Sequence, residues 1–66
     1  MDLARSLRKA MADKNIKGKE LAEMIEVPPS SISRWRQDGN MNPVNLVCIC
    51  KALGLRVSEF VKLGED

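Results

Sequence analysis

The segment VPPSSISRWRQDG, from Val27 to Gly39, sorts its residues onto two opposite faces when it is drawn as a helix. At about 100° per residue, Ile32 and Trp35 point to one side. The other side carries a polar arc, roughly 100° wide, formed by Ser30, Ser33, Arg34 and Gln37. The segment is therefore predicted to be a helix that packs on a core through one face and presents the other to a partner.

The boundaries of this helix follow from its prolines and turn formers. Pro28 favours an extended conformation at Val27, which ends the preceding segment. Pro29 suits the first turn of a helix, because its missing N–H would be unpaired there and its φ is already helical. Turn-forming residues follow Gln37 in the sequence QDGN, so the helix should end near Gln37.

Two helices are predicted before this segment. Apolar residues spaced by three and four indicate a first helix over about residues 2–14, with Asp2 as its N-cap and Asn15 as its stop. The second runs from Lys17 to Ile25, and its inner stripe consists of Leu21, Ala22 and Ile25.

Two further helices are predicted after the segment. Asn42 and Pro43 supply a capping residue followed by proline at the first helical position, and Gly54 closes this fourth helix. Ser58 should cap a short fifth helix, which Gly64 ends. With no strand pattern in the sequence, we predict an all-α fold of five helices in one compact domain.

Size and composition limit the class of protein. The chain has 66 residues, of which 44% are hydrophobic and 30% are charged, as in a small folded domain. No apolar run approaches the roughly 18 residues of a membrane span, and the N-terminus is charged where a signal peptide needs apolar residues. We therefore expect a cytoplasmic protein with no membrane partner.

The two cysteines do not indicate a chemical site. Cys48 and Cys50 lie about 200° apart around the predicted fourth helix, so a bridge between them is sterically implausible. We interpret both as reduced core or near-core residues; zinc binding is the alternative, but it needs more ligands and the chain has no histidine. The lack of histidine also removes the commonest general base. We therefore predict no catalytic residue, no metal, no cofactor and no small-molecule substrate.

The distribution of charge is more informative than its sum. A net charge of +2 is too small by itself to indicate a nucleic-acid partner. The basic residues collect in the first three segments, at Arg5, Arg8, Lys9, Lys14, Lys17, Lys19, Arg34 and Arg36, and the polar arc contains no acidic residue. An ordinary solvated surface is the alternative interpretation of each of these charges.

The second and third helices have the form of a helix-turn-helix, in which a short turn joins two short helices and the second helix has a polar face. The small Ala22 would let the two helices cross closely. The wedge between them would be filled by Ile25, Val27, Ile32 and Trp35.

With these features the chain resembles the phage-repressor and Cro-type helix-turn-helix domains of the lambda class. The resemblance rests on KELAEMIEVPPSSISRWRQDG at residues 19–39 and on NPVNLVCICKALGLRVSEFVKLG at residues 42–64. It implies a five-helix lambda-repressor-like domain over residues 1–66, with the helix-turn-helix unit at about 18–37. It also implies a phage or prophage regulator that binds an operator, usually as a repressing dimer.

The chain departs from the family pattern at two places. Glu26 stands where the family usually has a glycine in the left-handed conformation, at a cost of about 1 kcal/mol. Pro28 and Pro29 stand where relatives often carry Thr, Gln or Lys that touch DNA.

The polar arc predicts how double-stranded DNA would be read. The third helix would enter a major groove about 12 Å wide, where the planar fork of Arg34 can pair with guanine O6 and N7. The predicted base-contacting residues are Arg34, Ser30, Ser33, Pro29 and Gln37, with the Pro29 ring packing on a thymine methyl. An ordinary surface arginine is the alternative for Arg34. A stacking role on unpaired bases is the alternative to a core role for Trp35.

Phosphate contacts are expected where helix N-termini meet the DNA backbone, and beside the third helix. The residues at these places are Lys17, Gly18, Lys19, Arg36, Asn40, Asn42 and Asn45. The three asparagines would supply neutral donors, which would explain how so small a net charge suffices. Capping or turn formation alone is the alternative role for each asparagine.

One such domain reads only about four to six base pairs, so we expect a homodimer, at least on DNA, on a palindromic site. The expected interface lies in the C-terminal quarter and consists of Leu55, Arg56, Val57 and Val61. The competing hypothesis is an antitoxin or another protein-interaction module. A partner-binding helix would more often show an apolar stripe where this chain has its polar arc.

Overall fold

The computed structural model describes residues 2–65, which form five α-helices and no β-strand. This confirms the predicted all-α, five-helix class. The helices are α1 (Leu3–Lys14), α2 (Gly18–Ile25), α3 (Pro29–Asp38), α4 (Pro43–Leu53) and α5 (Val57–Glu65).

Capping residues fix the N-terminal ends of α1 and α4, as predicted. The carboxylate of Asp2 accepts a hydrogen bond from the backbone N–H of Arg5 at 3.0 Å. The side-chain oxygen of Asn42 accepts one from the backbone N–H of Asn45 at 2.8 Å. Each cap satisfies a donor that the first turn of a helix otherwise leaves unpaired.

The start of α5 differs from the prediction. The helix begins at Val57, so Ser58 lies inside it and does not cap it. The carboxylate of Glu59 instead accepts a hydrogen bond from the backbone N–H of Arg56 at 3.0 Å. A glutamate three residues into a helix reaches back to the residue before it in this way, which moves the start of the helix toward the N-terminus.

Gly64 lies inside α5, whereas the sequence predicted that it would end the helix. A Cβ at this position would collide with the carbonyl oxygen of Asp2 and with Oγ of Ser6. Gly64 therefore allows α5 to pack closely against α1, and it does not end α5.

The core takes at least one large side chain from every helix. Leu7, Leu21, Ile32, Ile49 and Phe60 are all buried in a single cluster. The interior of a chain this small is limited, so each of these side chains carries a large share of the apolar burial.

Ile32 and Trp35 face inward, as predicted. Ile32 is 1% exposed and Trp35 is 4% exposed, and both belong to the core cluster. This burial leaves no ring face of Trp35 for stacking on an unpaired base. Ala22, at 1% exposed, lies in the same cluster, as expected for the place where α2 and α3 cross.

The two cysteines differ in their surroundings. Cys50 is buried as expected, and its burial raises the pKa of the thiol. Cys48 is exposed, because it lies on the opposite side of α4, so the prediction of a core or near-core position was wrong for Cys48. Among residues 2–65, no group of three or more histidine, cysteine or acidic side chains is placed to hold a metal ion. None of the five helices is long and apolar enough to cross a membrane.

The turn between α2 and α3 contains the left-handed residue that the family resemblance implied. Glu26 has φ 58° and ψ 49°. The backbone N–H of Val27 donates to the carbonyl of Ala22 at 3.0 Å, which closes the end of α2. Pro28 then follows in an extended conformation, with φ −63° and ψ 145°.

Glu26→Gly is expected to raise the free energy of unfolding by about 1 kcal/mol, because a side chain in the left-handed region is strained by its Cβ. Urea denaturation followed by Trp35 fluorescence measures this change. The matched control is Asn15→Gly, since Asn15 has φ 54° and ψ 44° but asparagine tolerates this conformation better. Equal effects of the two substitutions would contradict the assignment of strain to Glu26.

Candidate nucleic-acid interface

The outer face of α3 is open to solvent along its whole length. Ile32 and Trp35 fix the opposite face in the core. All five predicted base-contacting residues are exposed on this outer face: Pro29, Ser30, Ser33, Arg34 and Gln37. The structure thus brings them together on one helix surface, with no segment of residues 2–65 folded over it.

Arg34 lies in the middle of this exposed face. Among the side-chain hydrogen bonds found in residues 2–65, none involves Arg34, Ser30 or Ser33. Their hydrogen-bonding groups are therefore available to an external partner. A guanidinium presents five N–H donors in a planar fork, which suits the paired acceptors on the edge of guanine.

The start of α2 lies beside α3. A Cβ on Gly18 would be 3.5 Å from Cγ2 of Ile32 and 3.8 Å from Nη1 of Arg36, so the first turn of α2 lies against the middle and the last turn of α3. Lys17 and Lys19 are exposed on either side of Gly18, which is half-buried. Lys17 and Gly18 also line one cleft with Arg36, which brings these three predicted phosphate-contacting residues together.

The backbone at the start of α2 is already partly paired. The carboxylate of Glu20 accepts a hydrogen bond from the backbone N–H of Lys17 at 3.2 Å. A phosphate approaching this helix end would thus meet the Lys17 ammonium and the next backbone donors, not the Lys17 N–H.

The three asparagines differ in the groups that they leave available for a phosphate contact. The side-chain oxygen of Asn42 caps α4, so the capping role is confirmed and its amide NH₂ is the group left for a phosphate. Asn45 is half-buried and uses its backbone N–H in that cap. Asn40 is exposed, and its backbone N–H donates to the Asp38 carboxylate at 2.9 Å.

Arg8, on α1, belongs to this surface although the sequence pattern did not single it out as a contact residue. It lines a cleft of about 480 Å³ together with Ser33, Arg36 and Gln37. Its Nη1 donates a hydrogen bond to the backbone carbonyl of Arg36. The two residues are 28 positions apart, and no local spacing in a sequence indicates a contact of that range.

The four residues expected at a dimer interface have unequal exposure. Leu55 packs against the core and Val61 is half-buried. The backbone carbonyl of Val61 also accepts a hydrogen bond from Oγ of the buried Ser6 at 3.5 Å. Arg56 is exposed and Val57 is 39% exposed, so the available surface of this group lies at the start of α5.

Comparison with known proteins identifies a family and a similar solved structure, but no curated relative. A family model described as the Cro/C1-type helix-turn-helix DNA-binding domain matches residues 6–66. The crystal structure of the clp gene regulator ClgR from C. glutamicum is similar, with a TM-score of 0.89 and 29% sequence identity. The similarity covers 97% of this chain and 84% of that chain. A search of curated proteins found no match.

Proposed function

This chain belongs to the Cro/C1-type helix-turn-helix DNA-binding domain family, and we propose that it is a Cro-like or repressor protein acting at a palindromic operator. Membership of this family, with the similarity to a gene regulator, makes it a DNA-binding transcriptional regulator. We further propose a phage or prophage origin, action in the cytoplasm, and a single DNA-binding domain over residues 1–66 with its helix-turn-helix unit at about 18–37.

The observation that carries the proposal is the exposed polar face of α3 opposite a buried Trp35. In helix-turn-helix proteins the second helix lies in the major groove and the first crosses the backbone. Here α3 would be the helix in the groove, with base contacts from Arg34, Ser30, Ser33, Pro29 and Gln37. An antitoxin or other protein-interaction module would be better supported by an apolar stripe on this face.

The proposed phosphate contacts surround α3. They comprise the start of α2, the C-terminal end of α3 and the start of α4, namely Lys17, Gly18, Lys19, Arg36, Asn40, Asn42 and Asn45. Their support is the proximity of Gly18 to Arg36 and the exposure of both lysines. Contacts of this kind set the register of a protein on DNA, while base contacts set its sequence preference.

We propose a homodimer, at least on DNA, through Leu55, Arg56, Val57 and Val61. Recognition helices on successive major grooves are about 34 Å apart, which exceeds the 27 Å length of this domain. Two touching copies must therefore place their α3 helices away from the contact. The packing is compatible with a contact at the start of α5, because α5 packs on α1 and α4 whereas α3 packs on α1 and α2.

Arg34→Ala is expected to relax base preference at one position of each half-site, with a loss of about 1–3 kcal/mol of discrimination. Selection of bound sequences from a random DNA pool, with wild type and variant in parallel, measures the preference. Arg36→Ala is the control, since a lost phosphate contact weakens all sequences alike. An unchanged base preference in Arg34→Ala would refute the role given to Arg34.

Lys17→Gln and Lys19→Gln are each expected to reduce the slope of log affinity against log salt by about 1, because each removes one phosphate contact. Fluorescence anisotropy with a labelled duplex in rising KCl gives the slope. Lys62→Gln makes the same change of charge on α5, away from α3, and should leave the slope near its wild-type value. If all three variants lower it equally, the effect comes from net charge and not from contact.

Val57→Asp is expected to weaken dimerisation by more than about tenfold, because like charges brought together at a two-fold interface cost several kcal/mol. Sedimentation of the chain, with and without DNA, measures the dimer. Val44→Asp is the control, because Val44 on α4 is 70% exposed and lies outside the proposed interface. A wild-type chain that stays monomeric at high micromolar concentration, with and without DNA, would exclude the dimer.

A further inference from the structure

Arg8 occupies a junction between the two parts of the proposed DNA-binding surface. It lines the cleft of about 480 Å³ that it shares with Ser33 and Gln37 of the α3 face. It also lines a second cleft, of about 280 Å³, which reaches Lys17 and Gly18 at the start of α2. Among residues 2–65, Arg36 is the one other residue that lines both clefts.

The guanidinium of Arg8 is held in place by the end of α3. Its Nη1 donates to the carbonyl oxygen of Arg36, which lies in the last turn of that helix. Carbonyl groups in the last turn have no partner within the helix and carry its partial negative charge, so they attract a cation. A guanidinium has five N–H donors, and this hydrogen bond leaves the others free to bind a ligand on the exposed side.

The length of α3 indicates what that ligand is. Ten residues of α-helix extend about 15 Å, whereas the major groove is about 12 Å wide. A recognition helix contacts base edges with its N-terminal residues. The last turn of α3, to which Arg8 is attached, would therefore lie at the edge of the groove, where the phosphates are.

We propose that Arg8 is a DNA-backbone contact, in which its guanidinium, oriented by the carbonyl of Arg36, donates to a phosphate oxygen beside the C-terminal end of α3. The inference rests on the proposed function, since it needs α3 in the major groove. One phosphate-binding site is then formed by Arg8 of α1, Lys17 at the N-cap of α2 and Arg36 of α3, which line the same cleft. Three cations converging on one place provide a strong local attraction in a chain whose net charge is only +2.

The test measures the salt dependence of DNA binding for the full chain and two glutamine variants. The probes are a 30-base-pair duplex recovered by selection from a random pool and a random-sequence duplex of equal length, each in KCl from 50 to 200 mM. Arg8→Gln should reduce the slope of log affinity against log salt by about 0.9, the value for one phosphate contact. Arg5→Gln is the matched control, because Arg5 is an exposed arginine on the same helix that lines neither cleft.

A second variant and a fold measurement keep the test decisive. Arg8→Lys retains the positive charge, so its slope should stay close to that of wild type. Unfolding followed by Trp35 fluorescence confirms that each variant is folded. Arg8→Gln should also weaken binding to all base sequences alike, as a backbone contact does.

Two results would overturn the role of Arg8. One is a slope for Arg8→Gln no lower than that for Arg5→Gln; the other is a changed base preference, which would make Arg8 a reader of bases. Failure of the proposed function is distinguishable from both, because the wild-type chain would then show no salt-dependent binding to either duplex.

Discussion

The burial of Ile32 and Trp35 is the constraint on which the rest of this structure depends. These two side chains fix the rotation of α3 about its own axis, because they must face the core cluster formed with the other four helices. Once that rotation is fixed, the side chains on the opposite face of α3 must point into solvent. A contact made only with the core thus determines which residues form the exposed face of α3, the face that we propose to meet DNA.

Local features of the sequence were enough to predict most of the helix boundaries. Caps and prolines act within three or four residues, so Asp2, Asn42 and Pro29 could be assigned to helix starts from their neighbours alone. Gly64 could not be assigned in this way. A glycine after an apolar stretch looks like a helix end, and only the approach of α1, whose residues come more than fifty positions earlier, explains why a glycine lies inside α5.

The candidate site likewise has a part that local sequence patterns predict and a part that depends on contacts between distant segments. The exposed face of α3 could be predicted from the helical period, because all the residues that define it lie in one short segment of sequence. The hydrogen bond from Arg8 to Arg36 depends on how α1 packs across α3. The packing of two helices that are distant in sequence cannot be predicted from the pattern of either helix alone. The start of α2 is an intermediate case, because its lysines were visible in the sequence while the use of one backbone donor by Glu20 was not.

The unequal environments of Cys48 and Cys50 give the protein a single chemically addressable position. The thiolate is the nucleophile that attacks a thiol reagent. Cys48 is exposed to such a reagent, whereas Cys50 is buried and its burial raises the pKa of the thiol, which disfavours the thiolate. A maleimide dye or a spin label would therefore attach to one known place on the outer side of α4, with the native sequence unchanged. The distance between two such labels would then report the geometry of any assembly that the chain forms.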